Sequence, residues 1–332
     1  MNATIKLEST HYPVLLNELI SIISPLYGGT FIDCTFGQGG YSSKILENKL
    51  NNIIALDRDR KVNNFANILS KKYKNRFNFF NKKFSEIDKL KIKKENIKGI
   101  IFDLGYSMNQ VKDLSTGISF KSTSQLDMKM GLNDLSADYV INQMRQENIY
   151  KIFKYFGEEK RSKVISKNII NQRKIKNLNT NDLVQLIEKS LKGYSKTHKA
   201  TKIFQALRIF VNKEISELIY GLINSFKILP IGGVLVVVTF HSIEDSIVKF
   251  FFKNYSTGEV GSRYFPRLNN KKKLFNLVKK KPTSASISEI KNNPSSRSAK
   301  LRYAFKMSEN NDFIEFINKF KFLLEIENLE RK

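Results

Sequence analysis

Apolar and polar positions along the first third of the chain fall into a repeating order. Thr30 to Phe36 is an apolar run, a glycine turn follows, helical spacing of apolar residues runs from Tyr41 to Leu50, and a second apolar run, Ile53 to Asp57, comes next. Strand, turn, helix and strand in that order make a βαβ unit. Phe77 to Phe84 and Lys98 to Leu104 repeat the theme, each after a polar, lysine-rich segment of helix length. Four parallel strands are therefore expected by residue 104.

After Leu104 the strand signal stops and helical periodicity takes over, at Ala137 to Phe156, Glu158 to Gln172, Thr180 to Leu191 and Ala200 to Phe226. Strand patterning returns at Gly232, where Gly-Gly-Val-Leu-Val-Val-Val-Thr-Phe-His is β-branched and uncharged, as suits a strand buried on both faces. Leu274 to Lys281 and Leu301 to Met307 alternate well enough to form an antiparallel pair at the sheet edge. The expected architecture is α/β, with residues 1–106 and 206–332 building one discontinuous core and residues 107–205 an inserted helical domain.

Charge changes the picture next. Lys and Arg total 57 against 31 Asp and Glu, a formal net charge of +26. Such a surplus repels itself unless an anionic surface sits opposite, so nucleic acid leads the expected partners, with a solvated lysine-rich face as the alternative. The single cysteine, Cys34, has no second cysteine for a disulfide, and with three histidines it makes no zinc-cluster spacing; no metal is expected. The early apolar stretch Val14 to Leu26 is interrupted by polar residues, and no run approaches the ~18 apolar residues of a membrane span. Arg58 is the first arginine, which does not suit a transit peptide. A cytoplasmic protein is expected.

The turn Asp33-Cys34-Thr35-Phe36-Gly37-Gln38-Gly39-Gly40-Tyr41-Ser42 joins the first strand to the first helix, where bare backbone N–H groups and a helix N-terminus can approach a ligand closely. Measured against the dinucleotide fingerprint, Gly37 and Gly39 fit its first two glycines, but the third position falls on Ser42. A nicotinamide site is disfavoured. Asp57, closing the second strand, suits the paired hydroxyls of a ribose. Phe84 and Asp103, closing the third and fourth strands, would share the same carboxyl edge, and together these residues outline an adenosyl pocket.

Several blocks in this order resemble the bacterial ribosomal RNA small subunit methyltransferase H family: His11-Tyr12-Pro13-Val14-Leu15-Leu16, Asp33 to Ser42, Ala55 to Asp59, Asp103-Leu104-Gly105, Leu126-Asp127-Met128-Lys129-Met130, Phe204-Gln205-Ala206-Leu207-Arg208-Ile209, Phe240 to Asp245 and Ser296 to Arg302. The resemblance covers almost the whole chain. It implies a class I methyltransferase fold with a seven-stranded, mostly parallel sheet and an inserted substrate-recognition domain. It also implies S-adenosylmethionine as cofactor and, as substrate, the N4 amine of a decoding-centre cytidine of 16S rRNA in the small ribosomal subunit; some relatives dimerise. At matching positions the cofactor would meet Gly39, Gly40, Tyr41, Asp57, Phe84, Asp103 and Gln110. The chain departs from the family pattern at Tyr41 (usually His), Met108-Asn109, Thr116 (usually Arg), and Lys129 and Lys202 (usually Arg), the last two keeping charge but losing a two-pronged phosphate fork.

The N4 amine is a poor nucleophile because its lone pair is delocalised into the ring, so a site must accept its N–H and aim the nitrogen at the methyl donor. Asp103 is the candidate for that role, with pure cofactor binding as its alternative. His241 and Ser242 emerge from the buried strand at the same carboxyl edge and are assigned to substrate orientation. His198 and Arg208, on a helix with a polar side, and Arg297, in a basic cluster with Lys300 and Arg302, are candidates for gripping RNA. Two other readings share this fold: a DNA amino-methyltransferase, although Asp103-Leu104-Gly105-Tyr106 lacks that class's two prolines, and a non-catalytic ribosome-assembly factor.

Overall fold

The computed structural model describes residues 13–105, 113–122, 124–194, 197–256, 273–309 and 312–329. The chain divides into two compact units, Met1–Gly105 with Tyr220–Phe316, and Tyr106–Ile219 with Ile317–Lys332. The sequence placed the return to the core at residue 206. That position falls inside one continuous helix, Thr201–Asn212, and the division lies further along the chain.

The first unit is built on one sheet. Its strands are β1 (Thr30–Asp33), β2 (Asn52–Leu56), β3 (Phe77–Phe80), β4 (Ile97–Asp103), β5 (Val234–Thr239), β6 (Phe275–Asn276), β7 (Thr283–Ser284) and β8 (Lys300–Lys306). The order across the sheet is β3-β2-β1-β4-β5-β8-β6, with β7 paired to β8. β1 to β5 pair in parallel, and β8 runs antiparallel to β5, β6 and β7. The sheet is mostly parallel, as expected, with eight strands among the described residues where seven were expected; the short β7 is the addition.

Every residue of β5 is buried, which is why it could be written without a charged side chain. β3 stops at Phe80, four residues before the expected Phe84. Asn81 leaves the strand direction and donates its amide to the Asp57 carbonyl at 2.8 Å, and Phe84 opens a 3-10 turn, Phe84–Lys89. At the far edge Phe251 packs among Phe275, Phe313 and Phe316, with ring centroids 4.8 to 5.9 Å away. Lys306 is fully buried beside them. Its ammonium donates to the carbonyls of Phe226 and Leu229 at 2.9 and 2.7 Å and to Glu309 at 2.7 Å, satisfying the orphan carbonyls at the end of the helix Glu214–Ile228.

The second unit is helical among its described residues. The expected helix Ala137 to Phe156 is two, Ala137–Asn142 and Gln146–Tyr155, because the Arg173 guanidinium takes the carbonyls of Ile141 and Met144 at 3.1 and 2.7 Å. The expected helix Ala200 to Phe226 breaks at Lys213, which is left-handed at φ 50°. The next helix begins where Glu327 accepts the N–H groups of Ile215 and Ser216 at 2.8 and 2.9 Å. Burial pushes the Glu327 carboxyl up to about 7, against the pull of those donors. No helix among the described residues is long and apolar enough to cross a membrane.

Candidate active site

β1 lies between β2 and β4, so the winding of the chain reverses there, and the space outside the carboxyl ends of β1 and β4 is where such sheets take ligands. Two carboxyls close those strands. Asp33 is fully buried, accepting the Ser42 hydroxyl at 2.7 Å and the Thr35 N–H at 3.2 Å. Asp103 donates its own N–H to the Thr35 hydroxyl at 2.7 Å. Its side-chain Oδ1 is buried with no hydrogen-bond partner among the described residues.

Burial dominates the electrostatics of both. It raises the Asp33 carboxyl to about 6, Ser42 and Thr35 pulling the other way and the charge of Asp57 adding to the rise. Burial, then Asp33, then Glu244 hold Asp103 well above the usual carboxylate range. A group that is cationic and carries donors would relieve all of this at once. The orphaned Oδ1 therefore fits the positive end of a sulfonium cofactor or the N–H of an amine.

The glycine turn is tied to Asp57. Gly37 donates its N–H to one carboxylate oxygen and Asp59 to the other, both at 2.8 Å, and the lone pairs left over are what ribose hydroxyls would use. Burial nevertheless raises the Asp57 carboxyl. Gly39 is left-handed at φ 76°, and a Cβ there would lie 2.7 Å from the Phe36 ring. Gly39→Ala is therefore expected to cost about 1–3 kcal/mol and to weaken binding of an adenosyl ligand. Urea unfolding and calorimetric titration would check both; wild-type values for both would show that the turn tolerates a side chain.

Two residues assigned to the cofactor have side chains engaged in packing. The Tyr41 side chain is buried under the turn, its hydroxyl donating to the Val14 carbonyl, so the phenol serves packing. The Phe84 ring stands edge-on to Phe102 at 5.1 Å and against Gly221, where an added Cβ would meet it at 2.6 Å. One side of that ring is thus taken by packing. A Cβ at Gly40 would lie 2.3 Å from the Pro13 ring. Gln110 lies outside the described residues.

His241 follows β5 at the same edge, its Nε2 3.0 Å from Glu244 Oε1. Glu244 also accepts the N–H groups of Phe240 and His241 at 2.8 and 3.3 Å, closing the start of the helix Ser242–Ser256 as half of a capping box. Ser242 is exposed. Of the C-terminal cluster, Arg297 is exposed, while Lys300 and Arg302 are both bound to Asp245, at 2.9 and 2.8 Å. Asp33, Thr35 and Glu244 were not assigned to the site from sequence. Asp33 carried the same signal as Asp57 and Asp103, an acid closing an apolar run.

In the second unit, His198 is partly exposed. Arg208 is not available to RNA as expected. It is 6% exposed, and its guanidinium is ion-paired with Glu214, Nη2 donating to Oε2 at 2.9 Å and Nε lying 2.9 Å from Oε1.

Residues 8–307 match the MraW methylase family. A ribosomal RNA small subunit methyltransferase H of a Wolbachia species from Drosophila simulans is 41% identical over 304 residues, spanning 90% of this chain and all of that one. The protein of the same name from Ehrlichia canis is 40% identical over 303 residues, with the same shares. Among solved structures, an rRNA methylase from Streptococcus thermophilus aligns with TM-score 0.36 and 10% identity over 88% of this chain and 95% of that one. With the family match running from ahead of the first strand through the last, the chain belongs to the MraW methylase family.

Proposed function

We propose that this protein transfers a methyl group from S-adenosylmethionine to the N4 amine of a decoding-centre cytidine in the 16S rRNA of the small ribosomal subunit, in the cytoplasm. The cofactor supplies an electrophilic methyl group on a sulfonium. Asp57 would hold the ribose, the backbone of Gly39 and Gly40 would admit the ligand closely, and Gln110 would complete the pocket. The observation that carries the reading is the buried, unpartnered Oδ1 of Asp103 at the end of β4. An N4–H accepted there would orient the nitrogen lone pair toward the methyl donor, and the Asp103 carboxylate would stabilise the positive charge developing on the amine and pass the proton that the amine then gives up to solvent. His241, held by Glu244, and Ser242 would orient the base, while His198 and Arg297 would contact flanking RNA.

The test is incubation of the protein with methyl-labelled S-adenosylmethionine and small subunits from cells lacking the gene, then nucleoside mass spectrometry. Label is expected as N4-methylcytidine. A protein that binds cofactor but labels neither subunits nor naked rRNA would overturn the rRNA reading in favour of DNA. One that binds no cofactor would be a non-catalytic assembly factor.

A further inference from the structure

An aromatic column rises through the helical unit from core to surface. Phe204 is buried on the helix Thr201–Asn212, and its ring meets Phe120 edge-on at 5.0 Å. Phe120 in turn lies flat on His198, 4.6 Å between centroids and 8° between planes. The imidazole is held at both nitrogens, Nδ1 accepting the Ala200 N–H at 3.2 Å and Nε2 3.3 Å from Glu188. It is thus a fixed plane with its side chain 38% exposed. Beside it is a recess of about 130 Å³ whose walls include Lys192, Tyr194, His198, Lys199 and Lys202.

Tyr194 is 93% exposed, a position that gives its ring no packing to do. Lys202 is steadied by the Glu158 carbonyl at 3.1 Å, and the acid in the wall, Glu159, is occupied by the Arg161 N–H at 2.8 Å. Cations around open aromatic faces are the means by which proteins hold single-stranded nucleic acid, because every base has a π-face and every nucleotide a phosphate. Paired RNA offers no such face.

We propose that this recess seats an unpaired nucleotide of the RNA substrate, its base stacked on Tyr194 or on the His198–Phe120 pair and its phosphates met by Lys192 and Lys199. The proposal rests on the substrate class proposed above and assigns it a surface. Its function is to hold sequence flanking the target rather than to take part in methyl transfer.

The test uses full-length protein and fluorescein-labelled polyuridine, with cofactor titration as the control for folding. Tyr194→Ala is expected to weaken RNA binding about 5- to 100-fold, with Tyr194→Phe close to wild type. Removing both Lys192 and Lys199 is expected to lower the slope of log affinity against log salt by about 1.4. With small subunits as substrate, Tyr194→Ala should raise KM and leave kcat unchanged. Wild-type RNA affinity and KM in both Tyr194→Ala and the double lysine variant would overturn the proposal. Loss of affinity for assembled subunits but not for RNA would also overturn it, by assigning the surface to a ribosomal protein. A wild-type protein that binds RNA through these residues yet methylates no subunit would instead sink the methylation reading and leave this surface standing.

Discussion

Asp103→Asn is expected to lower kcat for methyl transfer about 10²- to 10⁴-fold while leaving the protein folded. The amide matches the carboxyl in shape and in the neutral charge that burial favours in the ligand-free protein, so the packing has no reason to change. What it lacks is the negative charge that a cationic methyl donor and a developing ammonium both require. Single-turnover kinetics with saturating cofactor separates this loss from weakened binding. A fall of less than about fivefold, a change of roughly 1 kcal/mol, would leave Asp103 with the alternative role of cofactor binding alone.

The same carboxyl sets the direction of the pH response. Because burial and neighbouring acids hold Asp103 well above the usual carboxylate range, the ionised form grows only as pH rises through that higher value. Single-turnover rates at saturating cofactor should therefore climb with pH in wild type. In Asp103→Asn that limb should be missing. Stability of the ligand-free protein runs the other way. Asp33 has its carboxyl raised from 3.8 to about 6, so the folded state holds its proton longer, and the stability this confers is complete below pH 3.8 and is lost as pH rises through about 6.

Asn212→Ala is expected to destabilise the helical unit by on the order of 4 kcal/mol. Asn212 is fully buried. Its Oδ1 accepts the Met130 N–H at 2.8 Å and the Asn133 amide at 3.0 Å, and its Nδ2 donates to the carbonyls of Met128 and Arg208 at 2.9 and 3.0 Å. Truncation strands the Met130 donor and the Met128 acceptor away from water, and a buried backbone group without a partner costs about 1–3 kcal/mol. It also releases Met128 from a left-handed φ of 54°, which a side-chain-bearing residue holds only under constraint. Urea unfolding with hydrogen exchange on residues 126–130 would read both effects. A loss below about 1 kcal/mol would mean that this segment is held by its own packing.

Much of the site was legible because strand ends are local events. A buried parallel strand must be apolar, and an acid that interrupts it marks where the chain emerges at the carboxyl edge; Asp57 and Asp103 were read in that way. Asp33 obeyed the same rule but stood inside the glycine turn, where it was weighed only against the dinucleotide fingerprint. Tyr41 and Phe84 were assigned from their places in a motif. Motif position sets where a residue's backbone lies, but neighbours distant in sequence, Val14 and Gly221, decided what their rings touch. Arg208 was read as part of a polar helix face for the same reason. Nothing local to Phe204-Gln205-Ala206-Leu207-Arg208-Ile209 shows that a glutamate on the next helix will close over it.

The order of elements, the α/β class, the all-apolar β5 and the glycine turn were determined by the sequence alone, since each follows from the period of apolar residues or from the needs of a backbone without side chains. The tertiary structure alone decided where helices end and which charges are free. Lys213 breaks a helix whose apolar period continues through it, because Glu327 supplies the capping acceptor from more than a hundred residues away. Lys306 can be buried because two helix-end carbonyls wait for it. Arg302 and Arg208 leave the pool of RNA-facing cations because they are buried against Asp245 and Glu214. A charge's partner is set by proximity in space, which a one-dimensional pattern of apolar and polar positions does not carry.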